Sequence, residues 1–340
     1  MNIKWPWDKD KESVTPATPS ITKKPCLTEV AVTPYQGFFS LANVSNKMWA
    51  GTYSGGDKDR IYEYFPQRTV KDLKTGESIY CIMECSTGGV LIGTEGAGLY
   101  YSRNMKDFKV RLKKTEDIYA LLEHEKYFYA WPHRNSPIEF YIYESKNKTS
   151  WHKMLHAKEK QCKCAAIFHG CPQCFGYDFK KKYGIRFVLF PGKNKWTYGK
   201  MQKRRRYLDI HVDGDTAFLA NTYMGGNSPY PKEGDMGPAG VAKFGHKGIK
   251  QVLETPGQQI GKTIARSPYD KHLYFGTIAE WKGYKKAELW RSLTGEKGTW
   301  TKVITFKESE VIDQCFHAGG HYIATKQRKG HGRIYRLEYK

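Results

Sequence analysis

VLIGT (90–94) ends a short apolar run in a glycine and a threonine, and the same figure recurs along the chain. MWAGT ends at Thr52, FYAW at Trp131, CFGY at Tyr177, FLAN at Asn221, YFGT at Thr277 and YIAT at Thr325. The small residue is Gly51, Gly93, Ala130, Gly176, Ala220, Gly276 or Ala324, each 37 to 56 positions before the next. Around each copy the sequence breaks into four short apolar runs separated by turn residues. In one unit these are IYCIMEC (79–85), VLIGTE (90–95), GLYYSR (98–103) and DFKVRL (107–112); in the next, IYALLEH (118–124), YFYAW (127–131), EFYIYES (139–145) and WHKML (151–155). A four-strand unit repeated at such a period is the signature of a β-propeller. The expectation is an all-β, seven-bladed β-propeller.

The two ends of the chain complement each other. The seventh unit, VIDQCF (311–316), HYIATK (321–326) and RIYRLEY (333–339), lacks a fourth strand, while LTEVAV (27–32) stands spare before the first unit. Pairing 27–32 with 333–339 closes the ring and covers edges that would otherwise be open. Residues 26–340 are therefore expected to form the propeller. Residues 1–25 differ: VTPATPSITKKP (14–25) reads as an extended linker, and the head before it carries Trp5 and Trp7. Two such aromatics make this arm a candidate docking peptide for a larger protein assembly.

Composition agrees. Aromatics make up 14% of the chain, with 24 Tyr and 16 Phe, which suits half-buried strands. The formal charge is +22, which points to an acidic neighbour: nucleic acid, acidic glycan or an acidic protein surface. No run approaches 18 consecutive apolar residues, so no membrane span is expected. The start, MNIKWPWDKDKES, lacks the apolar stretch of a secretory signal, and eight Cys then read as reduced thiols of a cytoplasmic folding compartment.

Turns between third and fourth strands share a flavour: SRNMKDF from Ser102, SKNKTSW from Ser145 and SLTGEKGTW from Ser292. This resembles a degenerate Asp-box, the S-x-D-x-G-x-x-W hairpin of sialidase-like propellers, with Asn104, Asn147 and Thr294 at the Asp position. Phe108, Trp151 and Trp300 take the aromatic place. The resemblance covers three units and implies structural hairpins away from any active site. Sialidase chemistry would also need an arginine cluster for a carboxylate, a Tyr nucleophile with Glu, and an acid Asp. Asp178, Asp235 and Glu280 have no spacing that selects them, so no catalytic residue and no cofactor is assigned.

Basic residues gather in connections on one end of the strands: Lys180, Lys181 and Lys182; Arg204, Arg205 and Arg206; Lys285 and Lys286; Arg328 and Lys329. Tyr183, Trp281, Tyr284 and Tyr207 are interleaved, giving the chemistry of a polyanion-binding face. Cys162, Cys164, Cys171 and Cys174 could in principle hold a metal. The repeat places Cys174 at a core position, and with HGCPQ as the turn Cys164 pairs nearer Asp178, setting the two Cys pairs apart. No metal is expected there. The reading at this level is a non-catalytic scaffold or binding propeller, of the type of a phage tail or adsorption protein in a virion. A sialidase-like glycosidase or polysaccharide lyase and a nucleic-acid-binding propeller are the alternatives.

Overall fold

The computed structural model describes residues 24–33, 37–53, 60–63, 69–72, 77–112, 116–190, 195–225, 236–257, 259–279, 286–327 and 331–339. The strands are β1 (Pro25–Val32), then β2 (Gly37–Val44), β3 (Lys47–Tyr53), β4 (Arg60–Glu63) and β5 (Thr69–Asp72) as one antiparallel group. The next is β6 (Ile79–Glu84), β7 (Val90–Thr94), β8 (Leu99–Ser102) and β9 (Lys109–Leu112). It is followed by β10 (Asp117–His124), β11 (Tyr127–Asn135), β12 (Ile138–Ser145) and β13 (His152–Lys158). Then come β14 (Lys160–Phe168), β15 (Cys171–Asp178), β16 (Tyr183–Leu189) and β17 (Trp196–Lys203). The fifth group is β18 (Arg205–Asp213), β19 (Thr216–Met224), β20 (Met236–Gly245) and β21 (Gly248–Glu254). The sixth is β22 (Gln259–Arg266), β23 (Leu273–Ala279), β24 (Glu288–Ser292) and β25 (Thr301–Thr305). Last come β26 (Glu310–His317), β27 (Gly320–Lys326) and β28 (Arg333–Tyr339), with β1 antiparallel to β28 from Pro25–Tyr339 to Val32–Arg333.

First strands touch one another in cyclic order, β2 with β6, β6 with β10, and so on to β26 with β2. Exposure rises outward within a blade. The second strands β7 and β15 are buried along their whole length, whereas the outer strands β13 and β25 hold only half-buried and exposed residues. The apolar core is laid down between blades. Phe140 and Trp131 of the third blade pack on Phe187 and Trp196 of the fourth, and Phe38 and Met48 of the first pack on Tyr322 and Ile334 of the last.

That arrangement explains the repeated small residue. A Cβ on Gly93 would lie 2.6 Å from the Ile118 carbonyl oxygen of the next blade, and one on Gly276 would lie 2.5 Å from Val311 Cγ1. The following threonine fastens the second strand to the third. Thr94 Oγ1 donates to Gly98 O at 2.8 Å, and Thr325 Oγ1 donates to Arg333 O at 3.0 Å.

In two of the third-to-fourth-strand turns an Asn side chain closes the turn on itself. Asn104 Oδ1 accepts from Lys106 N and Asp107 N at 2.9 and 3.1 Å; Asn147 Oδ1 accepts from Thr149 N and Ser150 N at 3.0 and 2.9 Å. Met105, Lys148 and Gly295, one residue on, all have positive φ.

β1 begins at Pro25, one residue inside the expected arm. β20 runs from Met236, and β14 from Lys160 through a bulge. The rest of the arm, with Trp5 and Trp7, lies outside the described residues.

Candidate functional site

Every first strand carries a bulge at the same height, where its pairing to the second strand slips between Phe38 and Ser40, Ile79 and Cys81, Ile118 and Leu121, Cys162 and Cys164, Tyr207 and Asp209, Gly261 and Thr263, and Val311 and Asp313. A bulge re-aims one side chain. Here it turns Phe39, Tyr80, Tyr119, Lys163, Leu208, Lys262 and Ile312 toward the axis, where all seven line a cavity of about 170 Å³.

The residue after the bulge ties one blade to the next. Ser40 Oγ donates to Ile79 O at 3.1 Å, Asp209 Oδ2 accepts from Ile264 N at 2.7 Å, and Asp313 Oδ2 accepts from Leu41 N at 2.8 Å. The two acids also accept from Ile210 N and Gln314 N, each at 2.8 Å. Asp209 and Asp313 line the narrow channel, partly open to water yet enclosed by protein. Burial raises both carboxyls, Asp313 to about 7 despite its backbone hydrogen bonds. These acids are engaged in holding the blades together.

The bulge side chains form an aromatic arc and a basic pair. The rings of Phe39 and Tyr80 lie 4.6 Å apart, and Tyr80 stacks on Tyr119 at 4.3 Å. The Lys163 ammonium sits 3.8 Å from the centre of the Tyr119 ring, and Lys262 sits 5.6 Å from that of Phe39. Neither lysine has a carboxylate within ion-pair distance among the described residues. Burial lowers both amines, Lys163 also through the neighbouring Arg206 and Lys262 charges.

A polar chain rims the mouth. Asn135 Nδ2 donates to Asp117 Oδ2 at 3.1 Å, Gln161 Nε2 donates to Asn135 Oδ1 at 3.1 Å, and Arg206 bonds Gln161 Oε1. Burial and the nearby Glu95 charge push Asp117 up to about 6, while burial and Lys163 hold His133 well below the usual imidazole range.

Those of the sequence-derived basic residues that are described, 180–182, 204–206 and Lys286, lie at the same end of the strands, with different duties. Lys180 and Lys181 are exposed, Lys180 lying 3.5 Å from Glu159, and Lys286 is exposed. Lys182 has positive φ (57°), and Tyr183 lies under the Lys200 ammonium at 5.5 Å. The three arginines are engaged within the fold: Arg204 donates to the Tyr223 hydroxyl, Arg205 pairs with Glu254, and Arg206 bonds Gln161. Tyr207 is buried. Trp281, Tyr284, Lys285, Arg328 and Lys329 lie outside the described residues, as do Asp235 and Glu280. Asp178 is buried and bonded by Lys181 N and Tyr198.

The cysteine register needs correction. The β14–β15 turn is His169–Gly170, so Cys164 faces Phe175 and Ala165 faces Cys174, and Asp178 lies opposite Lys160. Cys162 and Cys174 share one apolar cluster, so the two Cys pairs are not set apart as the sequence argument held. Burial holds the Cys162 and Cys164 thiols well above their ordinary range, against the thiolate a metal needs.

The mouth residues were missed because they follow no residue type. The usable signal was the first strand itself: aligned on the small residue of the second, its three-residue core reads F-F-S, I-Y-C, I-Y-A, C-K-C, Y-L-D, G-K-T and V-I-D.

No family model and no curated protein matches this chain. Its fold is shared with many solved structures. The WD40 domain of Neurospora crassa Pan2 is similar over 94% of this chain and 97% of that one, with TM-score 0.59 and 11% identity. A structure of YCF48 bound to D1 peptide is similar over 94% and 99%, with TM-score 0.60 and 11% identity. A putative oxidoreductase (glucose dehydrogenase) of a Thermus is similar over 76% and 96%, with TM-score 0.52 and 14% identity. These likenesses define the class, an all-β propeller of the general WD40 and YCF48 shape. At such identities they speak to the fold alone, and function rests on the site. Among the described residues no helix is long and apolar enough to cross a membrane.

Proposed function

We propose that this chain is a non-catalytic binding propeller of seven blades, closed by β1, that receives an acidic segment of a protein partner at its channel mouth. The observation that carries this reading is the pair Lys163 and Lys262, held in the channel beside Phe39, Tyr80 and Tyr119 with no described carboxylate at ion-pair distance, Asp209 and Asp313 acting on Lys262 only from further off. Drawing an ammonium out of water costs free energy that an incoming carboxylate offsets. The net charge of +22 favours the approach of such a partner. Asp209 and Asp313, the central acids, are engaged by backbone N–H groups, which speaks against general acid–base work there. That propellers of this shape take peptides is illustrated by the YCF48–D1 complex. The arm, with Trp5 and Trp7, would dock the propeller into its assembly; a phage particle, at the tail or adsorption apparatus, is the setting we propose for it.

The test is binding of a panel of acidic peptides and charge-matched neutral controls to the full chain, read by fluorescence anisotropy. Acidic members should bind, and Lys163→Ala with Lys262→Ala should weaken them by about tenfold or more, equal to ~1.4 kcal/mol. Tighter binding of DNA or heparin that ignores both substitutions would move the function to the outer basic face. Turnover of a glycan by the purified chain would overturn the non-catalytic reading.

A further inference from the structure

At the end of the ring opposite the channel mouth, three turns bring two histidines and an aspartate together. His169 lies in the β14–β15 turn, Asp215 in the β18–β19 turn and His246 in the β20–β21 turn. One ligand atom from each lies within 4.8 Å of the others. The imidazoles stack at 4.6 Å with 18° between planes, and His169 Nε2 is 4.0 Å from Asp215 Oδ1. The Asp215 main chain also hydrogen-bonds the His169 ring. A ligating histidine usually carries such an outer contact, which fixes its rotation.

A second observation comes from the adjoining cavity of about 180 Å³, lined by His169, His246, Gln173, Arg186, Phe168 and Phe244 among others. Gln173 is 4% exposed, and its Nε2 donates to Phe168 O at 2.9 Å. Its Oε1 is buried with no hydrogen-bond partner. A buried acceptor left unmatched is costly, and a metal-bound water is a donor that would satisfy it. Arg186, over the Phe244 ring at 4.9 Å, has no ion pair among the described residues and suits an anionic co-ligand.

We propose that His169, Asp215 and His246 form a binding site for a divalent first-row transition metal such as Zn²⁺, with a position left open toward this cavity. Two imidazoles and one carboxylate favour such ions over Ca²⁺ or Mg²⁺, which prefer all-oxygen sets. Tetrahedral bonds of about 2.0–2.1 Å bring ligand atoms to roughly 3.3 Å from one another, a closure of at most about 1.5 Å by turn side chains. Nothing in the channel-mouth reading requires this site.

The experiment uses tag-free full-length chain stripped with chelator, titrated with Co²⁺ for its visible absorption and with Zn²⁺ against a chromophoric chelator. One equivalent should bind. Asp215→Asn and His246→Ala, on exposed turns, should each weaken it by at least about tenfold, while the melting temperature of the metal-free protein stays unchanged. His169→Asn, which tolerates the same left-handed backbone, should do likewise. Absence of a saturable equivalent overturns the proposal. So does binding that survives the Asp215→Asn, His246→Ala double variant, or binding lost instead on substitution of Cys162 and Cys174.

Discussion

Asp313 accepts from Leu41 N in the first blade and from its own neighbour Gln314 N, so one carboxylate ties the last blade to the first. Replacing it with Ala leaves a largely buried N–H unmatched and should cost about 1–3 kcal/mol in urea unfolding. Because burial raises this carboxyl to about 7, the folded chain holds its proton to higher pH than the unfolded chain does. The associated stability is full below the ordinary carboxylate range, about pH 4, and is lost as pH rises through about 7. The stability gap between wild type and Asp313→Asn should therefore narrow between pH 5 and pH 8; a constant gap would mean that Asp313 titrates normally. Gly93 acts by size. A valine there meets the Ile118 carbonyl and the Cys81 sulfur, and Gly93→Val should cost about 3 kcal/mol or more, read as a lowered urea midpoint. Gly93 was legible in the sequence because the same close approach to the next blade recurs at Gly51 and Gly276 and selects a small residue each time. Lys163 and Lys262 were not. The bulge constrains backbone and leaves the side chain free to be Phe, Tyr, Lys, Leu or Ile, so equivalence there is geometric and leaves no compositional trace.

β1 shows what sequence can say about an element and where it stops. Its pairing partner could be inferred because β28 would otherwise be an edge, and LTEVAV alternates as a half-buried strand must. Val30 and Ala31 pack on the apolar layer shared by the first and last blades, and Glu29 pairs with Arg333. Removing residues 1–24, read from the sequence as a Pro/Thr-rich linker and head, should leave the melting temperature within a degree or two, since such linkers bring little apolar burial. Removing residues 1–33 opens the last blade and should lower it by about 10 °C or more, or abolish soluble expression. Equal melting temperatures for the two truncations would show that β1 does not hold the ring shut. In β14, by contrast, the bulge at Lys163 breaks the period-two pattern midway. Residues on both sides of it, Lys160 to Phe168, nevertheless pair along one partner strand. The turn that follows was also misplaced, because HGCPQ contains two turn-forming residues and only His169–Gly170 forms the hairpin. The Asn-centred turns at Ser102 and Ser145 were readable for the opposite reason: their hydrogen bonds are local, and local bonds are written in adjacent residues.

Across the whole molecule, charge acts at two ranges, and the structure separates them. Arg204, Arg205 and Arg206 looked like surface cations in the sequence, yet they are bonded to Tyr223, Glu254 and Gln161. Lys180, Lys181 and Lys286 are exposed on the same end of the ring as the channel mouth. Under the proposed function, exposed lysines would steer an acidic partner toward that end without fixing it, an effect carried by the association rate and screened by salt over about 10 Å at 0.1 M. Lys163 and Lys262, desolvated in the channel, would hold what arrives, an effect carried by the dissociation rate. The two sets should therefore part kinetically. Reversing Lys180, Lys181 and Lys286 to Glu should slow binding of an acidic peptide by about tenfold at low ionic strength, leave dissociation nearly unchanged, and change stability by less than about 0.5 kcal/mol. Added salt should erase the difference between this variant and wild type. Lys163→Ala with Lys262→Ala should instead speed dissociation and keep its defect in high salt. Stopped-flow measurements across a salt series decide the matter: a triple reversal that speeds dissociation as much as the channel variant does would place recognition on the outer face, with the lysines of the channel serving only the packing of Phe39 and Tyr119.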